Sequence, residues 1–233
     1  MLAHLVSSRE LAPEVRHLVF EAVDTDGLDF RLDFTPGQFV SFTGTVGGKE
    51  ITRAYSLASA PNGTNRFELC LNLVTGGHLT PHLFAMQPGD SIAMRQPLGT
   101  FVLRNPAREG LYVATGTGIA PFRAILQAHL RPESPAVTLL FGVRHESHIL
   151  YRSEFASMAA RFSRFQFYPT LTRPDAAWAG RTGRVQVHLV EAIGARRDLD
   201  FYLCGRKEMV DEVRAILKSM GFDRKQIAYE KYD

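Results

Sequence analysis

Four short stretches of this sequence hold residue types suited to binding flat, charged ligands. In RAYSLAS (53–59), Arg53, Tyr55 and Ser56 fall within four residues. Arg53 offers charge to a diphosphate, Tyr55 a flat ring and Ser56 a hydroxyl donor. On a strand, the side-chain period of two puts Arg53 and Tyr55 on one face and Ser56 on the other. In VTGGHLTPHL (74–83), Gly76 and Gly77 lead to Thr80 at a helix start, a candidate anion site. In ATGTGIAPF (114–122), Gly116 and Gly118 allow close backbone approach, and Pro121 suits the first turn of a helix. The spacing is GTGxAP rather than GxGxxG, so this is not the common dehydrogenase fingerprint. In CGRKEMV (204–210), Cys204 stands at a strand end that runs into a helix. Ligands collect at the carboxyl ends of parallel strands, so Cys204 and the Gly116–Gly118 loop are expected to face one crevice.

Arginines follow the other strand ends, Arg144 after the second strand and Arg173 after the third, and Arg181 and Arg184 come in the next loop. A guanidinium fork suits a phosphate monoester such as a 2′-phosphate on adenosine ribose. A free 2′-OH is typically met by Asp or Glu, and Glu146 lies nearby, so both dinucleotides stay open.

Two textures position these stretches. Up to about residue 105, short alternating runs lie between Gly/Pro turns: 15–23, 38–44, 54–59, 66–74 and 90–96. That spacing predicts a small antiparallel barrel, interrupted by a helix over 78–86. The polar, turn-rich RNPAREG (104–110) marks a boundary, giving domains 1–105 and 106–233. Beyond it, strands at 111–115, 137–143, 165–171 and 201–205 alternate with helical runs at 121–130, 153–162 and 209–220. Alternation of this kind predicts an α/β domain with a parallel sheet.

The chain has 233 residues, 45% hydrophobic and 22% charged, with a net charge of +3. The basic residues are scattered, so a nucleic-acid binder is not indicated. No apolar run approaches the ~18 residues of a membrane span, and the N-terminus lacks the pattern of a signal peptide. A cytoplasmic protein is expected. Cys70 and Cys204 stand far apart without a CxxC, which argues against a disulfide framework and a cysteine-ligated metal. The eight His show no HExxH, and no metal site is expected.

Together, these stretches resemble the ferredoxin–NADP reductase superfamily over nearly the whole chain. RAYS (53–56) matches its RxYS flavin motif, and GGHLT (76–80) is similar to its pyrophosphate loop. GTGIAPF (116–122) matches its nicotinamide-nucleotide loop, and CGRKEMV its CGxxxMV motif. The resemblance implies an antiparallel β-barrel FAD domain followed by an α/β NAD(P)-binding domain. It implies that Arg53 contacts the FAD diphosphate, that Tyr55 lies against the flavin ring and that Ser56 bonds near flavin N5. Gly77 and Thr80 would hold the diphosphate, with Ala54, Leu71, Val74 and Gly76 beside the cofactor. Gly116, Thr117 and Gly118 would hold the nicotinamide nucleotide, with Pro121, Gly205 and Met209 around it and Cys204 near the reacting carbon. TLTR (170–173), with Arg144, looks like the stretch that recognises the 2′-phosphate in NADPH-using members; Thr172, Arg173 and Arg184 belong to that set. YEKYD (229–233) resembles a Glu-x-aromatic ending, which implies an acid role for Glu230 and a ring over the flavin for Tyr232. Asp233 is an extra residue after that pattern.

The implied activity is FAD-dependent transfer of electrons from NADPH, or NADH, to a carrier. Two isolated cysteines make no iron–sulfur cluster, and the length leaves no room for a fused haem or FMN module. A separate acceptor is therefore expected, ferredoxin or flavodoxin first. Three alternatives are a flavin reductase, an NADH-using oxygenase reductase subunit and a non-catalytic flavin-binding regulatory subunit.

Overall fold

A computed structural model describes residues 1–24 and 31–232. The chain divides into two compact units, Met1–Val102 with Ala120–Ala128, and Leu103–Ile119 with the chain from His129 onward.

The first unit is a six-stranded antiparallel sheet. Its strands are β1 (Leu2–Ala12), β2 (Val15–Val23), β3 (Phe39–Val46), β4 (Lys49–Ser56), β5 (Arg66–Asn72) and β6 (Ser91–Leu98). Their order is β4-β3-β6-β1-β2-β5. Alternation in β2 turns Leu18, Phe20 and Ala22 inward, where they are fully buried. Phe20 stands edge-on to Phe42 at 5.0 Å and stacks on Phe67 at 5.7 Å, the preferred geometries for aromatic pairs. Gly47 and Gly48, both at positive φ, make the tight turn between β3 and β4. The sequence places β4 at 54–59, whereas the strand is Lys49–Ser56. Beyond Ser56 the chain keeps only a bridge, Leu57 to Leu69. Helix α1 (Leu79–Ala85) falls where the sequence predicts it and buries Leu79 and Leu83. Helix α2 (Ala120–His129) packs with this unit through Ala128.

The second unit is a six-stranded parallel sheet. Its strands are β7 (Gly110–Thr115), β8 (Val137–Val143), β9 (Phe165–Leu171), β10 (Arg181–Thr182), β11 (Asp200–Arg206) and β12 (Ile227–Tyr232). The order is β10-β9-β8-β7-β11-β12, with every pair parallel. All seven residues of β8 are buried, which explains its unbroken apolar run. The helices are α3 (Arg152–Arg161), α4 (Leu189–Ile193) and α5 (Lys207–Ser219). Met209, Val210, Val213 and Leu217 form the buried stripe of α5 at helical spacing. The chain builds outward from β7 to β10 and then returns to place β11 on the other side of β7. The switch point of the sheet lies between β7 and β11, where open α/β sheets bind ligands at the carboxyl ends.

Among the described residues, no helix is long and apolar enough to cross a membrane.

Candidate functional site

In the first unit, β4 presents Arg53, Ala54, Tyr55 and Ser56 in succession. Arg53 is exposed, Tyr55 half-buried and Ser56 buried. Ala54 is exposed as well, because β4 is an edge strand and strict alternation of burial lapses there. The Arg53 guanidinium donates to the Thr52 carbonyl at 2.9 Å and has no carboxylate partner among the described residues. It is therefore available to an anionic ligand. The Tyr55 ring leans on Phe42 at 5.8 Å. Burial pushes its phenol up to about 12, against the pull of the Arg53 charge, so Tyr55 is a neutral ring at working pH.

The loop ahead of α1 is folded on itself. Gly77 N–H donates to the Val74 carbonyl at 2.8 Å, and Val74 N–H donates to the Thr80 hydroxyl at 3.1 Å. A Cβ on Gly77 would meet Val74 Cβ and its carbonyl oxygen at 2.9 Å, so glycine is needed for the turn itself. At Gly76, with φ +75°, an added Cβ would meet nothing within 4 Å, leaving open backbone. Leu71 is buried in β5 and Val74 is exposed beside the loop.

Behind Ser56 lies a charged cluster that sequence reasoning missed. Arg123 of α2, 8% exposed, donates through Nη1 to the Ala58 carbonyl at 2.7 Å and to Glu68 Oε2 at 2.5 Å. The same Glu68 oxygen lies 3.6 Å from Nε2 of the buried His17. The Glu68 backbone N–H donates to the Ser59 hydroxyl, and its carbonyl accepts from Ala58. The partners are 55 residues apart, so no local pattern signals them.

In the second unit, the GTG and CGR stretches meet at the switch point. A Cβ on Gly118 would fall 2.4 Å from the Cys204 carbonyl oxygen and 2.7 Å from Gly205 Cα. A Cβ on Gly205, at φ +141°, would fall 2.3 Å from Thr115 Oγ1. Each glycine makes room for the other strand's loop. Gly116, at φ +53°, instead faces open space, so its backbone is the free one. Thr117 is half-buried, and Pro121 is buried in the first turn of α2. Arg206 N–H donates to Thr115 Oγ1 at 3.3 Å, joining the same two strand ends.

Cys204 is fully buried and pairs in register with Glu230 of β12. Burial pushes its thiol well up, the Glu230 charge adds to that, and a hydrogen bond with the Tyr232 side chain opposes it. Cys204 is therefore a neutral thiol at physiological pH, unsuited to attack as a thiolate. Cys70 is buried as well. We expect neither cysteine to react with a disulfide reagent such as DTNB in the folded protein at pH 8, and both to react in urea. Rapid release of one thiol equivalent from native protein would contradict this burial. Glu230 and Tyr232 are half-buried members of β12, with Tyr232 opposite Arg206 in register. Asp233, the residue beyond the expected ending, lies outside the described residues. Met209 is packed in the core of this unit.

Beyond the strands, Thr172 N–H donates to the Val143 carbonyl and Arg173 N–H to the Arg144 carbonyl, at 3.0 and 2.8 Å. This extension of the ladder brings Arg144 and Arg173 together, both exposed and without a carboxylate partner among the described residues. Arg181 and Arg184 differ. Arg181 is clamped by Glu191 through two bonds of 2.5 and 2.7 Å and lies over the Tyr168 ring at 4.5 Å. Arg184 lies 3.7 Å from Glu212, which accepts from Gln186 Nε2 at 2.6 Å. Glu191 and Glu212 carry no sequence signal as counter-charges.

The open backbone at Gly76 and Gly116, together with the carboxylate-free Arg53, Arg144 and Arg173, fits two phosphate-bearing ligands, one on each unit.

Comparison with known proteins agrees with that division. The family model for the oxidoreductase FAD-binding domain matches residues 2–103, and that for the oxidoreductase NAD-binding domain matches residues 112–215. Ferredoxin–NADP reductase B of Sorangium cellulosum is 39% identical, covering 99% of this chain and 97% of that protein. The anthranilate 1,2-dioxygenase electron transfer component of Acinetobacter baylyi is 28% identical, over 99% of this chain and 67% of that one. Among solved structures, the FAD/NAD-binding domain of nitric oxide dioxygenase from Vibrio cholerae aligns with a TM-score of 0.87 at 25% identity, covering 99% of this chain and 98% of that one. The chain belongs to the ferredoxin–NADP reductase superfamily of flavin- and NAD(P)-binding oxidoreductases. It is a flavoenzyme, in which bound FAD relays electrons from NAD(P)H to a one-electron carrier.

Proposed function

We propose that this chain is a ferredoxin- or flavodoxin-type NADP reductase, taking electrons from NADPH and delivering them to a separate small acidic carrier. The meeting of GTG and CGR at the switch point carries the reading, because it leaves one open backbone face, at Gly116, for a dinucleotide. The preference for NADPH is supported by Arg144 and Arg173, two exposed arginines joined through their backbones and without a carboxylate partner among the described residues. The net charge of +3 suits an acidic partner, in a weak encounter of the usual redox kind.

In this reading, residues 1–105 form an FAD-binding barrel and 106–233 the NAD(P)-binding domain. Closure of the barrel is supported by the Leu57–Leu69 bridge and the Ala58 N–H bond to the Glu68 carbonyl. Arg53 holds the FAD diphosphate, with Gly76, Gly77 and Thr80 beside it and Ala54, Leu71 and Val74 along the cofactor. Tyr55 supplies a neutral ring face, and Ser56 a hydroxyl toward N5. The bound FAD supplies the conversion of a hydride into single electrons. Gly116, Thr117, Gly118, Pro121 and Gly205 shape the nucleotide site, with Met209 beneath. Cys204, kept neutral, contributes shape beside the nicotinamide, and Tyr232 fixes its thiol. Glu230 is the candidate acid. The two buried cysteines, neither of them in a disulfide, suit a reducing, cytoplasmic setting.

The test is an anaerobic titration of the purified protein with NADPH and with NADH, following the visible spectrum. A yellow protein bleached faster by NADPH supports the reading, and equal or faster bleaching by NADH removes the cofactor preference. A colourless protein that reduces only added flavin replaces the reading with a flavin reductase. Arg173→Ala is expected to raise KM for NADPH roughly tenfold, the loss of one charge-assisted contact, with little change for NADH. Equal changes for both nucleotides would take Arg173 out of the 2′-phosphate site.

A further inference from the structure

We propose that Glu191 is a specificity-determining residue: it clamps Arg181 as an internal substitute for the 2′-phosphate and so limits the preference for NADPH. The inference deepens the NADPH reading above and rests on it.

Arg144 and Arg173 follow the carboxyl ends of β8 and β9, and Arg181 opens β10, the next strand of the sheet. Arg181 pairs in register with Thr170, three residues before Arg173, and Gly183 N–H donates to the Leu171 carbonyl at 2.8 Å. The backbones of the three arginines thus lie on adjacent strands toward one end of the sheet, yet their charges are treated differently. Arg144 and Arg173 have no carboxylate partner among the described residues. Arg181 has both arms of its fork filled by Glu191 Oε1 and Oε2, while its flat face rests on Tyr168. A carboxylate held bidentately occupies the same donors that a phosphate monoester would use. The pair raises the affinity of Arg181 for its proton and lowers that of Glu191, through the hydrogen bond first in each case. Both groups are charged at neutral pH, and a 2′-phosphate must compete with a carboxylate already in place.

Arg181 is largely covered, with its side chain 27% exposed, whereas Glu191 is 64% exposed on the short helix α4. Removing the negative charge from Glu191 therefore leaves the guanidinium seated on Tyr168 and able to turn its fork outward. Arg184 makes only a long, exposed contact to Glu212, at 3.7 Å, and such a pair is a weak competitor. Glu191 is the counter-charge whose removal matters.

The experiment is calorimetric titration of the FAD-loaded protein with 2′,5′-ADP and with 5′-AMP, which differ only in the 2′-phosphate. Glu191→Gln is expected to tighten 2′,5′-ADP roughly fivefold, the gain from one further charge-assisted contact, and to leave 5′-AMP unchanged. The double variant Glu191→Gln/Arg181→Ala returns the ratio of the two affinities to the wild-type value. Arg181→Ala alone leaves that ratio nearly unchanged, since the guanidinium is already engaged. Equal effects of Glu191→Gln on both nucleotides, or none on either, would overturn the proposal. So would a loss of 2′,5′-ADP affinity in Arg181→Ala as large as that in Arg173→Ala. Failure of the NADPH reading looks different: the wild type then binds the two probes equally and Arg173→Ala changes neither.

Discussion

Gly118→Ala is expected to lower kcat/KM for the nicotinamide nucleotide by about two orders of magnitude, the scale that displacement of a positioned group by ~1 Å can produce. The added Cβ meets backbone only: Cys204 O at 2.4 Å, Cys204 C at 2.6 Å and Gly205 Cα at 2.7 Å. No flexible side-chain end can swing away, so either the GTG turn or the end of β11 must move. These two segments flank the switch point, and their displacement spoils the dinucleotide site directly. Overpacking of this kind costs roughly 1–3 kcal/mol of stability. Gly116→Ala separates the two roles of glycine in this loop. Its Cβ meets nothing within 4 Å, and only the φ of +53° resists the change, at about 1 kcal/mol. The effect of Gly116→Ala on stability is therefore the smaller one, while its effect on nucleotide binding reads the open face. The FAD content of both variants stays near that of the wild type, because the flavin residues belong to the other unit. Steady-state kinetics with a dye acceptor, together with urea unfolding and the flavin-to-protein ratio, checks this. Wild-type kcat/KM in Gly118→Ala would show that the two strand ends are not coupled through this contact.

The same glycine shows what sequence can and cannot convey. GTGIAP and CGRKEMV are visible as motifs, and their strand-to-helix setting is readable from the apolar runs of β7 and β11. The sequence reading assigns the glycines to close approach of a phosphate. Gly118 is required by the backbone of Cys204 and Gly205, and Gly205 by Thr115, and only the parallel pairing of β7 with β11 brings these distant ends together. The elements with strong local signals, β2, β8 and β9, fall at the expected residues, since alternation or unbroken apolarity defines them. β4 begins five residues before its expected start, because Lys49 and Glu50 carry charge on an exposed edge and mask the strand. β10 has two residues and no pattern at all. The arginines at the strand ends are legible as candidates. Their division into clamped and open members is not, because Glu191 and Glu212 lie on helices that only folding brings alongside.

Glu68→Ala is expected to destabilise the first unit by about 3 kcal/mol, the lower range for breaking a buried ion pair. Arg123 is 8% exposed, and the change removes the carboxylate that bonds it at 2.5 Å, while the Ala58 carbonyl remains. For a chain of this length such a loss lowers the unfolding temperature by roughly 6–12 °C. Glu68 also sits between Arg123 and His17, so its removal leaves the guanidinium and the buried imidazole without the carboxylate between them. The desolvation argument gives the control. Removing both ions, in Glu68→Ala/Arg123→Met, leaves an apolar side chain of similar length in place of the guanidinium and recovers much of the stability. If the double variant is no better than Glu68→Ala alone, packing of the Glu68 side chain rather than charge is what the site needs. The functional consequence follows from position. Residues 57–59, immediately behind Ser56, are held on β5 by the Leu57–Leu69 bridge, by the Ala58 bond to the Glu68 carbonyl and by Arg123 on the Ala58 carbonyl. Loosening that anchor frees the end of the strand that presents Tyr55 and Ser56. Flavin retained through gel filtration should therefore fall in Glu68→Ala and stay low in Glu68→Ala/Arg123→Met even as stability recovers, because the double variant also removes the bond from Arg123 to the Ala58 carbonyl.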